Sequence, residues 1–434
     1  MKSNVKWVKR VFLFGLFGLI AFALVEAKHW PFWYSLGRGV FIDARTQPLA
    51  NMLESRVPTQ RVAGDSKDLA TVAKPPKSVK QGQQNQFAEV IAYAELMGRD
   101  SLLIWHKNQL VHEQYWNGLN RDFRPESASM HKSVLGLLFA IAWDDGFINP
   151  DDKVGQYLAE WRDDPRGDIT IEQLLTMSSG LEKLSLEGGI FSPMTGLLKG
   201  RKSRKIVTAM PQLAEPGTQF WYQNAVSQLA GYVLTSATGE AYTDYLAEKL
   251  WKPIGADDAF VNPERSDSVT PRTYSSLFAR PYDWLKVGVL ILHQGEWNGR
   301  EIVSKRALNR ALTSSTANRN YGWQMWFARE RQHPRYYNDA KEGISIPMAS
   351  ALDVDDLVFF DGFGGQRVYI SRSLDIVIVT TGQVRLDLDD SVIPNAAAKA
   401  VREMAVRMTE QGGTSETRPA PFSAPDEMLY QTKR

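Results

Sequence analysis

Ser129 and Lys132 stand three residues apart in SASMHKSVLGLLFAIAWDDG, which runs from Ser127 to Gly146. On a helix, positions i and i+3 share a face, so the hydroxyl and the ammonium meet. Serine is a weak nucleophile until a neighbour takes its proton, and lysine can do so only if its pKa falls. Burial against an apolar helix, which begins here at Val134, disfavours the charged amine and supplies that fall. A helix opening at Ser129 would also offer unpaired backbone N–H groups near the hydroxyl, suited to an oxyanion. The pattern itself is common; Ser3 and Lys6 repeat it near the N-terminus. What distinguishes Ser129 is the apolar run behind it. His131 lies between the pair but points to another face, as a structural side chain.

Tyr222 and Asn224 form a second candidate pair in EPGTQFWYQNAVSQLAGYVL. A phenol can relay a proton to a leaving group, and an asparagine can hold a substrate carbonyl and orient the lysine. Two other stretches share the spacing, Tyr115-Trp116-Asn117 and Tyr336-Tyr337-Asn338. Tyr222 follows a Pro-Gly turn and leads into an apolar helix; the others sit at a hairpin exit and in a polar loop. Tyr222 could equally be an aromatic packed between lobes. The third candidate is DGFGGQRVYIS, from Asp361 to Ser371. Glycines before a strand let a ligand approach backbone, so N–H groups around Gly365 and Gln366 could complete an oxyanion hole with that of Ser129. A plain glycine bend between strands reads the same way.

The elements that must carry these residues follow from hydrophobic periodicity. SLLIWHKNQLVHEQYW (Ser101–Trp116) predicts two strands around a tight turn at Lys107-Asn108. Helical and loop-rich sequence fills Ser129 to about Asn309. Strands return at Leu357–Phe360, Gln366–Ser371 and Asp375–Thr381, before a helix over Pro394–Thr409. Early and late strands can join in one antiparallel sheet, with the helical insert as a second lobe and the site in the crevice. The expected class is α+β.

The chain has 434 residues, 43% hydrophobic and 11% aromatic, enough for a large core. Its net charge of +2 points away from nucleic acid as a partner. It contains no cysteine, which excludes disulfides and thiol nucleophiles. Its six histidines form no metal-ligand pair in sequence, and no metal is expected. Lys6, Lys9 and Arg10 precede the apolar run Val11–Val25, the outline of a secretory signal. WPFWY (Trp30–Tyr34) could instead flank an uncleaved anchor. Both versions place the body of the chain outside the cytoplasm, periplasmic or membrane-anchored. Without residues 1–27 it carries 47 cationic and 48 anionic residues. The expected organisation is a leader at 1–27, an extension and linker at 28–86, a catalytic domain at 87–410, and a mobile tail at 411–434.

The three motifs in this order resemble the serine β-lactamase superfamily, in its class C and esterase-like branch. ITIEQLLTMSSGLE (Ile169–Glu182), ATGEAYTDYLAEKLWKPIG, GEWNGREIVS and YGWQMWF are similar to further family stretches. The resemblance covers about Ser101 to Thr409, and the Gly-Gly-Gln ending of the third motif is similar to 6-aminohexanoate-dimer hydrolase-like proteins. It implies a β-lactamase/transpeptidase-like fold and a serine acyl-enzyme hydrolase without cofactor. Ser129 would be the nucleophile, Lys132 its base, Tyr222 the proton shuttle and Asn224 a substrate contact. The N–H groups of Ser129 and Gln366 would form the oxyanion hole. Where the family commonly opens the third motif with Lys or His, this chain has Phe363, which cannot pair with a substrate carboxylate. Arg367 is a candidate replacement. The departure favours a small neutral ester or amide, in a pocket that Trp323, Trp326 and Phe363 could line. A D,D-peptidase or β-lactamase on cell-wall substrates, and a non-catalytic envelope binding protein, are the alternatives.

Overall fold

The computed structural model describes residues 59–67, 86–185, 187, 191–200, 202–264, 267–330, 334–338, 345–410 and 422. The leader lies outside them, and so does the tail apart from Phe422. That residue is buried, with the Arg372 guanidinium 5.5 Å from its ring.

In chain order, the elements that matter for the site begin with strand β1 (Gln60–Val62) and helix α1 (Ala88–Leu96). The hairpin β2 (Arg99–His106) and β3 (Gln109–Tyr115) follows. Next come helices α2 (His131–Asp144) and α3 (Asn224–Thr238), then strands β4 (Ala259–Val261) and β5 (Leu277–Phe278). Helix α4 (Pro281–Leu292) and strands β6 (Trp326–Phe327), β7 (Val358–Gly362), β8 (Gln366–Ser371) and β9 (Ile376–Gly382) precede the closing helix α5 (Val392–Glu410).

Early and late strands form one six-stranded sheet in the order β3-β2-β9-β8-β7-β6, antiparallel throughout. All eight residues of β2 are buried, which is why this antiparallel strand reads as an apolar run rather than an alternation. Lys107 and Asn108 turn the first hairpin with φ of 50° and 53°, the left-handed pair that a two-residue hairpin turn requires. Helix α4 packs against β9, β8 and β2. A Cβ on its Gly288 would lie 2.5 Å from Val377 Cγ1, so the glycine lets helix and sheet approach. Helix α1 packs on β2 and on α5.

Two expectations change. The stretch expected as unpacked linker contains β1, which pairs with β4. Val62 is fully buried, and Arg61 grips Asp258 with Nε at 2.7 Å and Nη2 at 2.9 Å. A single apolar residue and one ion pair are too little to show as a strand in hydrophobic periodicity. The second change concerns Ser129. It sits in a single 3₁₀ turn, Ala128–Met130, and α2 starts at His131.

Candidate active site

Helix α2 has its first twelve residues buried. It passes so close to the loop before β6 that a Cβ on Gly136 would sit 2.2 Å from the Trp323 carbonyl oxygen. Gln324 ties the helices together: its carbonyl accepts from Ser133 Oγ at 2.9 Å, and its Oε1 accepts from Ser227 Oγ, on α3, at 2.6 Å. Lys132 on α2 and Asn224 on α3 are thereby fixed relative to one another.

Lys132 is 1% exposed. Its Nζ lies 2.9 Å from Ser129 Oγ, 2.8 Å from Asn224 Oδ1 and 2.8 Å from the Tyr274 carbonyl oxygen. The last two can only accept. An amine that donates one N–H to each therefore aims its remaining position at Ser129: a third N–H if charged, the lone pair if neutral. Burial brings the Lys132 pKa down to about 7, while Asp361 and Glu126 pull it upward. Near neutrality both forms are populated, and the neutral one can take the serine proton.

Ser129 is held by its neighbours. Ala128 adopts φ +46°, a left-handed conformation that costs a non-glycine residue energy. Ser127 fixes the turn: its N–H donates to the Leu277 carbonyl at 3.2 Å, and its Oγ accepts from Leu277 N–H at 3.1 Å. The same segment, Tyr274 to Leu277, supplies the carbonyl on Lys132 and, from Ser275, the carbonyl 2.9 Å from His131 Nδ1. His131 Nε2 meets Tyr242 OH at 2.8 Å, and burial lowers its pKa to about 4. His131 is structural, as its face of the helix suggested.

The Tyr222 ring lies 5.0 Å from Lys132 Nζ, beside the serine turn. Burial and then the nearby Asp361 charge push its pKa above the ordinary tyrosine value, so the phenol stays protonated. Ser129, Lys132 and Asn224 form one hydrogen-bonded cluster, and the Tyr222 ring lies against its amine. The motif expected to be a rival belongs here too. Tyr337 stacks on Tyr222 at 5.3 Å and 15°, and Asn338 accepts from Tyr222 N–H at 2.7 Å.

The third motif reaches the cluster through Gly362. A Cβ there would lie 2.4 Å from the Ser127 carbonyl oxygen, so only glycine lets β7 approach the serine turn. Gly364 and Gly365 turn the chain with φ of 75° and 93°. Gln366 anchors its side chain on β9: Nε2 donates to the Gly382 carbonyl at 2.7 Å, and Oε1 accepts from Gly382 N–H at 3.0 Å. Phe363 is 39% exposed at the turn.

One expectation fails in this region. Arg367 does not replace the missing cation, because its Nη1 pairs with Asp361 at 2.8 Å and its Nε with Asp390 at 2.8 Å. Arg335 pairs with the same two carboxylates at 2.6 and 2.7 Å, which closes a buried, charge-balanced set of four. Burial opposes the Asp390 charge, yet the two guanidiniums outweigh it and hold its carboxyl at about 2. Trp323 donates its indole N–H to Glu172 Oε2 at 2.9 Å. Trp326 does face Tyr222, with ring centroids 5.4 Å apart. Sequence reasoning also missed Tyr274, which acts through its backbone and leaves no side-chain signature.

The Beta-lactamase family profile matches residues 93–401, spanning all of these residues. The chain belongs to the beta-lactamase family. Families of this kind are generally serine hydrolases, and the shared fold is β-lactamase/transpeptidase-like. Among solved structures, this family member is similar to "Putative 6-aminohexanoate-dimer hydrolase from Bacillus anthracis". The two are 18% identical with a TM-score of 0.61, over 82% of this chain and 92% of that one. It is also similar to "EstCE1, a hydrolase with promiscuous acyltransferase activity", at 16% identity and a TM-score of 0.54, over 73% and 98% of the chains. Among curated relatives, "D-alanyl-D-alanine-carboxypeptidase/endopeptidase AmpH" of Escherichia coli strain K12 is 23% identical over 189 residues, covering 41% of this chain and 49% of that protein. The chain spans less than half the length of the first curated relatives it matches. Among the described residues, no helix is long and apolar enough to cross a membrane, and no cluster of metal-ligating side chains occurs.

Proposed function

We propose that this chain is a serine hydrolase that cleaves a small, uncharged ester or amide through an acyl-Ser129 intermediate. The observation that carries the reading is the placement of the buried Lys132 amine, 2.9 Å from Ser129 Oγ with two acceptors on its other side. Neutral Lys132 takes the hydroxyl proton as Ser129 Oγ adds to the substrate carbonyl carbon. The oxygen that becomes negative is received by the N–H groups of Ser129 and Gln366. As the carbon–heteroatom bond breaks, the leaving group takes its proton from the Tyr222 hydroxyl, which is replenished from Lys132. A water then repeats the sequence: Lys132 removes its proton, its oxygen adds to the acyl carbon, and Ser129 leaves with a proton.

Lys132 rather than Tyr222 is the base, because burial moves the two in opposite directions from neutrality. Tyr222 stays a phenol where Lys132 is half neutral. An uncharged substrate is favoured because Phe363 carries no charge and Arg367 is committed to Asp361 and Asp390. Labelling the full chain with a fluorophosphonate and mapping the adduct tests the reading. An adduct on Ser129 that vanishes in Ser129→Ala supports it; folded protein that takes no label, or takes it elsewhere, refutes it.

Similarity to the carboxypeptidase/endopeptidase AmpH favours a second reading, a peptidase for D-alanyl-D-alanine ends. Turnover of nitrocefin, or a stable penicillin adduct on Ser129, would select it. The reaction is assigned to the outside of the cytoplasmic membrane on the strength of Lys6, Lys9 and Arg10 ahead of Val11–Val25.

A further inference from the structure

Strand β1 lies in the stretch expected as linker, yet it opens a small sheet that ends at the nucleophile. β1, β4 and β5 pair in that order, and Glu126 bridges to Phe278 on the other edge of β5. Two cross-strand rows run through all four segments. One joins Gln60, Val261 and Leu277 to Ser127; the other joins Arg61, Phe260 and Phe278 to Glu126. Ser127 is thus the last member of a row that β1 begins, two residues before Ser129. The segment leading into β5 carries the Tyr274 carbonyl that accepts from Lys132 Nζ at 2.8 Å. Nucleophile and amine both lean on β5.

β5 is only two residues long and β4 three, and ladders this short need further strands or a packed face to hold. β1 brings both. Its Val62 is fully buried, and Arg61 takes both oxygens of Asp258 at the start of β4. Gly64 N–H donates to the same carboxylate at 2.9 Å, while Asp65 and Lys67 donate their N–H groups to the Ala256 and Gly255 carbonyls at 2.9 and 3.0 Å. A Cβ on Gly64 would lie 2.3 Å from the Asp257 carbonyl carbon, so the chain sits flush on the turn before β4. That turn also grips the serine segment. Arg124, three residues ahead of Ser127, donates Nε to the Asp258 carbonyl at 2.9 Å and pairs with Asp257 at 3.1 Å. The strain to be held is at Ala128, because a left-handed φ on such a residue persists only where its surroundings enforce it.

We infer that β1 is a positioning element for the nucleophile: it clamps β4 and β5, and through them holds Ser127 and the Tyr274 carbonyl so that Ser129 faces the Lys132 amine. The β1 residues act through β5 and are not themselves catalytic. The inference rests on the serine-hydrolase reading above. It makes the segment ahead of the expected domain start at residue 87 part of the working enzyme.

The test uses the full chain with p-nitrophenyl butyrate as substrate, and fluorophosphonate labelling to completion counts the reactive Ser129. Val62→Asp puts a charge at a buried strand position and should release β1. Gly64→Ala forces the chain off the turn before β4. Per labelled serine, kcat should fall about 30-fold in Val62→Asp and about fivefold in Gly64→Ala, with KM little changed. The rate of labelling should fall in step. A merely structural role would lower the melting temperature and the labelled fraction but leave kcat per labelled serine unchanged. If Val62→Asp does not fold, Gly64→Ala decides alone. Wild-type chain that turns over beside folded variants with unchanged kcat per labelled serine overturns the inference while leaving the hydrolase reading intact. Wild-type chain with neither turnover nor label on Ser129 removes both.

Discussion

Asn338 holds Tyr222 by both faces of its backbone: Oδ1 accepts from the Tyr222 N–H at 2.7 Å, and Nδ2 donates to the Tyr222 carbonyl at 3.3 Å. The phenol whose ring lies against Lys132 is thus positioned from a loop more than a hundred residues downstream. Asn338→Ala should lower kcat about tenfold with little change in KM, since an oriented proton donor loses efficiency before binding does. Tyr222→Phe should cost about 100-fold or more and still permit fluorophosphonate labelling of Ser129. Steady-state kinetics beside labelling separates these outcomes.

Lys132 works as a base in its neutral form, so kcat/KM should climb with pH and level off above about 7, where burial has brought its pKa. Lys132→Met should abolish turnover. The same group affects stability. Its folded pKa lies below the unfolded value near 10.5, so between about 7 and 10 the unfolded chain binds the extra proton. Stability therefore rises with pH across that window by up to about 1.4 kcal/mol per unit from this group. Denaturant titrations of Lys132→Met should show that slope flattened.

Asp361 both neutralises Arg335 and Arg367 and sustains the charge on Lys132. Asp361→Asn leaves two buried guanidiniums facing one carboxylate and should destabilise the chain by about 3–5 kcal/mol. In enzyme that remains folded, the acidic limb of the pH–rate profile should move to lower pH, because an upward pull on the lysine pKa is gone. A limb that stays put would separate the ion network from the amine.

Gly362→Ala adds a methyl group 2.4 Å from the Ser127 carbonyl oxygen. Strand and serine turn must part to admit it, so kcat should fall about 100-fold. The loss of stability should be modest, because Gly362 ends its strand. Thermal melting with ester hydrolysis distinguishes this from general unfolding.

Much of this architecture was legible from local signals. The β2–β3 turn, the strands β7 to β9 and the apolar runs of α2 and α3 are written in contiguous residues, and four site residues lie at the openings of those helices. What escaped depends on contacts distant in sequence. Tyr274 works through a carbonyl, which no side-chain pattern can announce. Tyr337 and Asn338 read as polar loop because their partner lies at Tyr222. Arg367 looked available because Asp390 and Arg335 are on separate elements. Strand β1 was hidden because Asp258, which receives Arg61, is about 200 residues away.

Ala128 draws one more consequence from the serine turn. A methyl-bearing residue at φ +46° costs energy that glycine would not. Ala128→Gly should therefore yield a chain that melts later and reacts more slowly, since the freed hinge lets the nucleophile wander from its amine. Durability and speed are set against each other at that one residue.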